Sequence, residues 1–183
     1  MPVFICLLRA VNLPGHNQIK MDALKALCES LKLKDVHTLL ASGNVVFRAK
    51  ERNPAAVTEV VQKGIERRFG IRSDIIVRTT PELRDIVARN PFAGRRGIEP
   101  GKLLVAFLGS APAPGARAKL LQLDIAPEEL HLLGRELYVY FPNGQGRPRL
   151  KWTAVDKAVQ APYTGRNWNT VTKLLALAES LEA

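Results

Sequence analysis

The sequence predicts an α+β protein made of two ferredoxin-like halves, each a βαββαβ unit with one added helix. Two observations carry this expectation. The stretch His37–Arg48 (HTLLASGNVVFR) has a near copy 94 positions later in His131–Pro142 (HLLGRELYVYFP), so that His37 meets His131, Leu39 meets Leu133, Val45 meets Val139 and Phe47 meets Phe141. In addition, apolar runs and stretches of helical period follow the same order on both sides of the turn-rich segment Ala93–Gly101 (AGRRGIEPG).

Val3–Leu8 is apolar at every position and reads as a strand. Arg9–Lys20 (RAVNLPGHNQIK) is rich in turn formers and reads as a loop. Met21–Leu33 repeats apolar residues at helical spacing, with Asp22 placed to favour the helix N-terminus. In the hairpin, Thr38–Ala41 and Val45–Phe47 flank a Ser42-Gly43-Asn44 break, where Gly and Asn tolerate positive φ. Asn53-Pro54 opens a second helix as N-cap and first-turn proline; Val57, Val60, Val61, Ile65 and Phe69 form its stripe and Gly70 its stop. Ile71–Arg78 reads as a strand, and Thr80-Pro81-Glu82 starts a short helix that ends near Asn90-Pro91.

Beyond the linker, Lys102–Leu108 reads as a strand, Pro114–Leu123 as a helix and Leu130–Phe141 as a hairpin. Asn143–Arg149 is a flexible basic loop, Lys151–Gln160 a helix, Tyr163–Arg166 a short strand, and Asn169–Leu181 a final helix capped by Asn169. The expected division is therefore 1–92, a linker over 93–101, and 102–183. Several strands are apolar on both faces, among them Val3–Leu8 and Leu103-Leu104-Val105. Both faces of each sheet should then be buried, the second by the other half or by a partner chain.

The chain has 183 residues, of which 46% are hydrophobic, which suits a folded core and argues against disorder. No apolar run approaches the roughly 20 residues that span a bilayer, so no membrane role is expected. The start reads as a strand with no basic n-region, not as a signal peptide. Cys6 and Cys28 lie far apart in apolar surroundings and read as buried thiols of a reduced cytoplasm. The three histidines show no metal-ligand spacing, and no metal or cofactor is expected. The formal net charge is +10, which favours polyanions at low salt.

Nucleotide-loop motifs fail on inspection. Gly101-Lys102 is followed by Leu103 where a phosphate loop needs Ser or Thr, and Arg149 replaces the third glycine after Gly144-Gln145-Gly146. Neither HExxH nor GxSxG occurs. Three polar clusters remain. They are Arg9, Asn12, Asn17 and Lys20 after the first strand; Ser42 and Asn44 at the hairpin; and Arg166, Asn167, Trp168 and Asn169, with Thr170, before the last helix. Arginine and asparagine beside free backbone N–H groups suit an anion. The competing reading is that Asn and Ser satisfy turns and caps, Trp168 fills core, and the arginines pair with carboxylates. If the clusters share one cleft, Arg9 and Arg166 would clamp a phosphate or carboxylate.

Arg9-Ala-Val-Asn12-x-x-Gly15-x-Asn17-x-Ile-x-Met21-x-x-Leu24, Leu40-Ala-Ser42-Gly43-Asn44-Val45-Val46-Phe47, Asn90-Pro91-Phe92 and Thr164-x-Arg166-Asn167-Trp168-Asn169-Thr170-Val171 resemble the bacterial family catalogued as domain of unknown function 1697. Leu13-Pro14 departs from the Val-Gly that the family tends to carry there. The resemblance implies a cytoplasmic protein of duplicated α+β fold and implies no activity.

Three functions fit these observations. The first is binding of an anionic ligand, nucleic acid included, through the clusters above or through Arg95, Arg96, Arg147, Arg149 and Lys151 in basic loops. The second is an enzyme on a small phosphorylated or carboxylated substrate, although no general base or nucleophile stands out. The third is a partner-binding structural module. The first is favoured, even though only Tyr138 and Tyr140 share a strand face in the manner of RNA-binding sheets.

Overall fold

The computed structural model describes all of residues 1–183. It is a mixed α+β fold with two four-stranded antiparallel sheets and six α-helices. By its contacts the chain divides into two units, Met1–Asp85 with Lys173–Ala183, and Ile86–Thr172.

The first unit contains β1 (Val3–Leu8), α1 (Met21–Ser30), β2 (Lys34–Leu39), β3 (Asn44–Arg48), α2 (Pro54–Phe69) and β4 (Ile75–Thr79), and its sheet has the order β2-β3-β1-β4. The helix α3 (Thr80–Ala88) follows β4 and runs across the division. β1 lies between β3 and β4, with Ile5 opposite Val46 on one side and Arg78 on the other. Phe4, Cys6 and Leu8 pack with Leu24, Cys28 and Val61 of the helices. The alternate positions Ile5 and Leu7 are also buried, at 1% exposure each, so both faces of β1 are covered as its unbroken apolar run requires.

Local signals end the helices. Asn53 Oδ1 accepts the Ala55 N–H at 2.9 Å, Pro54 occupies the first turn, and Gly70 closes α2 at φ 67°. α1 stops before its apolar period does. Lys32 turns left-handed at φ 65° and the Leu33 N–H reaches back to the Cys28 carbonyl at 3.2 Å, a Schellman-type closure.

The second unit contains β5 (Leu103–Leu108), α4 (Ala116–Leu121), β6 (Glu129–Leu133), β7 (Glu136–Tyr140), α5 (Trp152–Val159) and β8 (Tyr163–Asn167). Its sheet has the order β6-β7-β5-β8, and α6 (Trp168–Glu182) completes the chain. Ala106, Leu108, Leu137, Val139 and Phe141 pack under α4 and α5, while Val105, Phe107 and Tyr138 on the opposite face are also buried. The last helix begins one residue earlier than its sequence suggests. Asn167, not Asn169, is the cap: its Oδ1 accepts the Asn169 N–H at 2.9 Å.

The hairpins correct the apparent repeat. The first turn occupies Leu40 to Gly43, between Leu39 and Asn44, which pair. The second occupies only Gly134-Arg135, with Gly134 at φ 63°. In the sheets, Val45 stands opposite Cys6 as Leu137 stands opposite Ala106, and Phe47 opposite Phe4 as Val139 stands opposite Leu104. The fixed-offset match is therefore two residues out beyond the turn, although it keeps the correct faces because strand side chains alternate with period two. Asn44 is fully buried as the first residue of β3 and is not at the hairpin tip.

Gly43 has a double requirement. It sits at φ 86°, and a Cβ added there would lie 2.6 Å from Val11 Cγ2 and 2.9 Å from Leu8 Cβ. Gly43→Val should lower unfolding stability by at least about 2 kcal/mol in denaturant titration, through backbone strain and overpacking together.

Candidate functional site

The loop after β1 and the turn before β3 meet in the first unit. Asn12 joins them: its Nδ2 donates to Ala41 O at 2.6 Å and to Ile19 O at 2.9 Å, and its Oδ1 accepts the Ile19 N–H at 2.7 Å. Asn17 Nδ2 donates to Ala10 O at 3.0 Å. Asn44 Nδ2 donates to Leu39 O at 2.7 Å and to Ser42 Oγ at 3.0 Å. The amides expected to face an anion thus satisfy the loop's own carbonyls. Ala10, Asn12 and Asn17 all adopt positive φ, between 48° and 54°, and these side-chain bonds hold the loop in that conformation. Arg9 pairs with Asp74 at 3.0 Å on the surface, and Lys20 is exposed immediately before α1.

The third cluster belongs to the second unit. Arg166 is only 6% exposed, and its Nη1 donates to Thr164 Oγ1 at 2.7 Å and to Gly165 O at 2.9 Å. Asn167 Nδ2 donates to Gly101 O at 2.8 Å, tying the start of β5 to the end of β8. Trp168 and Asn169 begin α6, and the Asn169 carbonyl accepts the Thr172 hydroxyl at 3.1 Å. Arg166 has a counterpart that sequence reading missed. Arg78 in β4 is 1% exposed, stands opposite Ile5 as Arg166 stands opposite Val105, and likewise donates from Nη1 to the preceding carbonyl, Val77 O, at 3.0 Å. The signal was available: each is a lone arginine inside a short strand.

The basic loops are unequal. Arg95 grips Glu129 with two bonds of 2.7 and 2.9 Å and lies over the Phe92 ring. Arg149 donates to Asp124 at 2.8 Å and to Ala126 O at 3.0 Å, while its backbone N–H donates to Glu128. Arg96, Arg147 and Lys151 are exposed and meet no carboxylate.

Burial pushes the Cys28 thiol up to about 12, so it stays protonated and unreactive at neutral pH. No three His, Cys, Asp or Glu side chains gather as a metal site.

A family model described as protein of unknown function (DUF1697) matches residues 1–138. The chain belongs to this family. Thr164–Val171 lies outside the matched residues. A conserved bacterial protein from Streptococcus pneumoniae has a similar structure, with a TM-score of 0.73 at 18% identity over 98% of this chain and 99% of that one. At that identity the likeness shows the fold alone. No curated protein matches the chain.

Two measurements check these roles. Asn12→Asp should cost about 1 to 3 kcal/mol, because it sets a carboxylate against the Ile19 and Ala41 carbonyls, whereas Arg9→Gln at its exposed pair should cost less than about 1 kcal/mol. Hydrogen bonding to Arg95, above all, holds the Glu129 carboxyl below its ordinary range. A folded-state pKa below the unfolded one adds stability above the unfolded pKa and loses it as pH falls through the folded value. Arg95→Gln should therefore flatten the acid-side loss of stability, by less than about 1 kcal/mol because both side chains are well exposed and screened.

Proposed function

We propose that this DUF1697 protein binds polyanions, nucleic acid included, through the surface of its second unit. The observation that carries the reading is a charge imbalance with no internal outlet. Residues 86–172 hold twelve Lys and Arg against six Asp and Glu. Each of the six acids is already engaged. Glu99 meets Lys102, Asp124 meets Arg149, Glu129 meets Arg95 and Glu136 meets Arg89. Glu128 accepts the Arg149 N–H, and Asp156 accepts the Tyr163 hydroxyl. Arg96, Arg117, Lys119, Arg147, Lys151 and Lys157 remain exposed with no carboxylate partner. Such cations can neutralise the phosphates of a nucleic acid and release the counterions condensed on it, which favours association at low salt.

The same proposal takes each unit as a ferredoxin-like half of a duplicated chain. The strand orders β2-β3-β1-β4 and β6-β7-β5-β8, and the matching positions of Arg78 and Arg166, support it. A cytoplasmic setting suits two buried cysteines that form no disulfide. Binding is sequence-tolerant in this reading, because the free cations contact phosphate and no aromatic platform accompanies them.

The test is fluorescence anisotropy with mixed-sequence single-stranded oligonucleotides across a salt series. Binding should tighten steeply as salt falls. Arg147→Glu with Lys151→Glu should weaken it about tenfold or more at low salt and reduce the slope of log K against log salt by about 1 to 2. Arg149 is left intact, since its contacts to Asp124 and Ala126 hold the fold. Absence of any binding by the parent protein at low salt rejects the reading.

A further inference from the structure

The first unit holds a cavity of about 380 Å³, large enough for a small ligand. It opens where three chain segments end or begin. α1 closes over Leu31, Lys32 turns left-handed, and Leu33 returns to the core. β3 gives way to Ala49, Lys50 and Glu51, and the first turns of α2 bring Val57 and Val60. A bulge in β2 between Lys34 and His37, with Asp35 at φ 49°, bends the adjoining strand. The walls are apolar, and Val60 is one of few large hydrophobic residues left exposed, at 45%.

Charge around this cavity is mainly positive. Lys32, Lys34 and Lys50 border it, all are exposed, and none of their ammonium groups meets a carboxylate or another hydrogen-bond partner. Glu51 is the single acid in the lining, and it is committed elsewhere. Its Oε1 accepts the Arg52 and Asn53 N–H groups at 2.7 and 2.8 Å, which keep the carboxylate ionised and turned to the chain. The nearby Asp35 is held by Arg48 at 3.3 Å.

We propose that this cavity binds a small amphiphilic anion, an unbranched aliphatic carboxylate, with its chain against Leu31, Leu33, Val57 and Val60 and its head among the three lysines. The chemistry narrows the occupant in two steps. A bare inorganic anion would leave the apolar walls unfilled, and a neutral hydrocarbon would gain nothing from the ammonium groups. Lysines act as mobile point charges and offer no planar fork or backbone cradle, which suits a carboxylate at the mouth better than a deeply seated phosphoryl group. This inference concerns the first unit and stands apart from the polyanion surface of the second.

The test is isothermal titration of the full chain with hexanoate and octanoate, with octylammonium and inorganic phosphate as controls, all below micelle-forming concentrations. Octanoate should bind about tenfold more tightly than hexanoate, as two further buried methylenes imply. Lys32→Gln/Lys34→Gln/Lys50→Gln should weaken octanoate at least tenfold and leave hydrophobic-chain discrimination in place. The exposed-site variant Val60→Asp should weaken octanoate more than hexanoate without unfolding the protein, and so serves if the triple variant misfolds. Failure of octanoate to bind, equal affinity for octylammonium, affinity independent of chain length, or displacement of octanoate by inorganic phosphate would each overturn the proposal. Self-association of the protein that octanoate abolishes would also overturn it, by making a second copy the occupant. Neither oligonucleotide binding nor its loss in Arg147→Glu/Lys151→Glu bears on these outcomes.

Discussion

The structure depends on central strands that have no solvent-facing side. β1 and β5 each lie between two antiparallel neighbours, and their side chains are buried to both faces, apart from the half-buried Leu104. Such strands leave little choice elsewhere. Their backbone groups must be paired on both edges, so register is fixed along the whole length. Any polar group that enters their second face must carry its own partners. Arg78 and Arg166 do so by folding back to the carbonyl of the preceding residue, and Arg166 adds the Thr164 hydroxyl. A guanidinium can serve in this way because its five donors permit several simultaneous bonds.

The same economy governs the loops. Polar residues that attract attention in the sequence are mostly consumed by the backbone. Asn12 satisfies three main-chain groups, and Asn167 joins a strand start to a helix start. What remains for partners is what the fold has no use for. That surplus is cationic in both units, but its settings differ: exposed and dispersed in the second unit, and set around an apolar hollow in the first. A dispersed surplus favours a polymeric anion, whereas a clustered one beside hydrocarbon favours a small amphiphile.

Much of this was legible in the chain. Strand and helix order followed from period and caps, since Asn53-Pro54 and Gly70 state the limits of α2 chemically. The meeting of the Arg9–Lys20 loop with the hairpin turn follows from antiparallel pairing of β1 and β3, and Asn12 with Ala41 is the bond that realises it. Less visible was the fate of individual polar groups. Nothing local distinguishes Arg149, locked to Asp124, from Arg147, which is free, because the lock is made by a segment distant in sequence. The lysine-bordered cavity was hidden for the same reason: Lys50 joins Lys32 and Lys34 at its rim only after β2 and β3 have paired. Asn44 was misplaced because Ser-Gly-Asn reads as a turn, whereas the turn ends one residue earlier.

The two hairpins differ by a pair of residues in the turn, four between Leu39 and Asn44 and two between Leu133 and Glu136, yet the strands that follow present the same faces to their cores. Insertions and deletions that pass into the strands must therefore come in pairs to keep the same faces inward. A change of two residues lengthens or trims the ribbon and preserves which side chains point inward. A change of one that the turn did not absorb would invert β3, trading Val45 and Phe47 for Asn44 and Val46 against the helices. Length variation among relatives at these positions is expected to occur in even steps, with odd steps confined to chains that restore phase through a bulge.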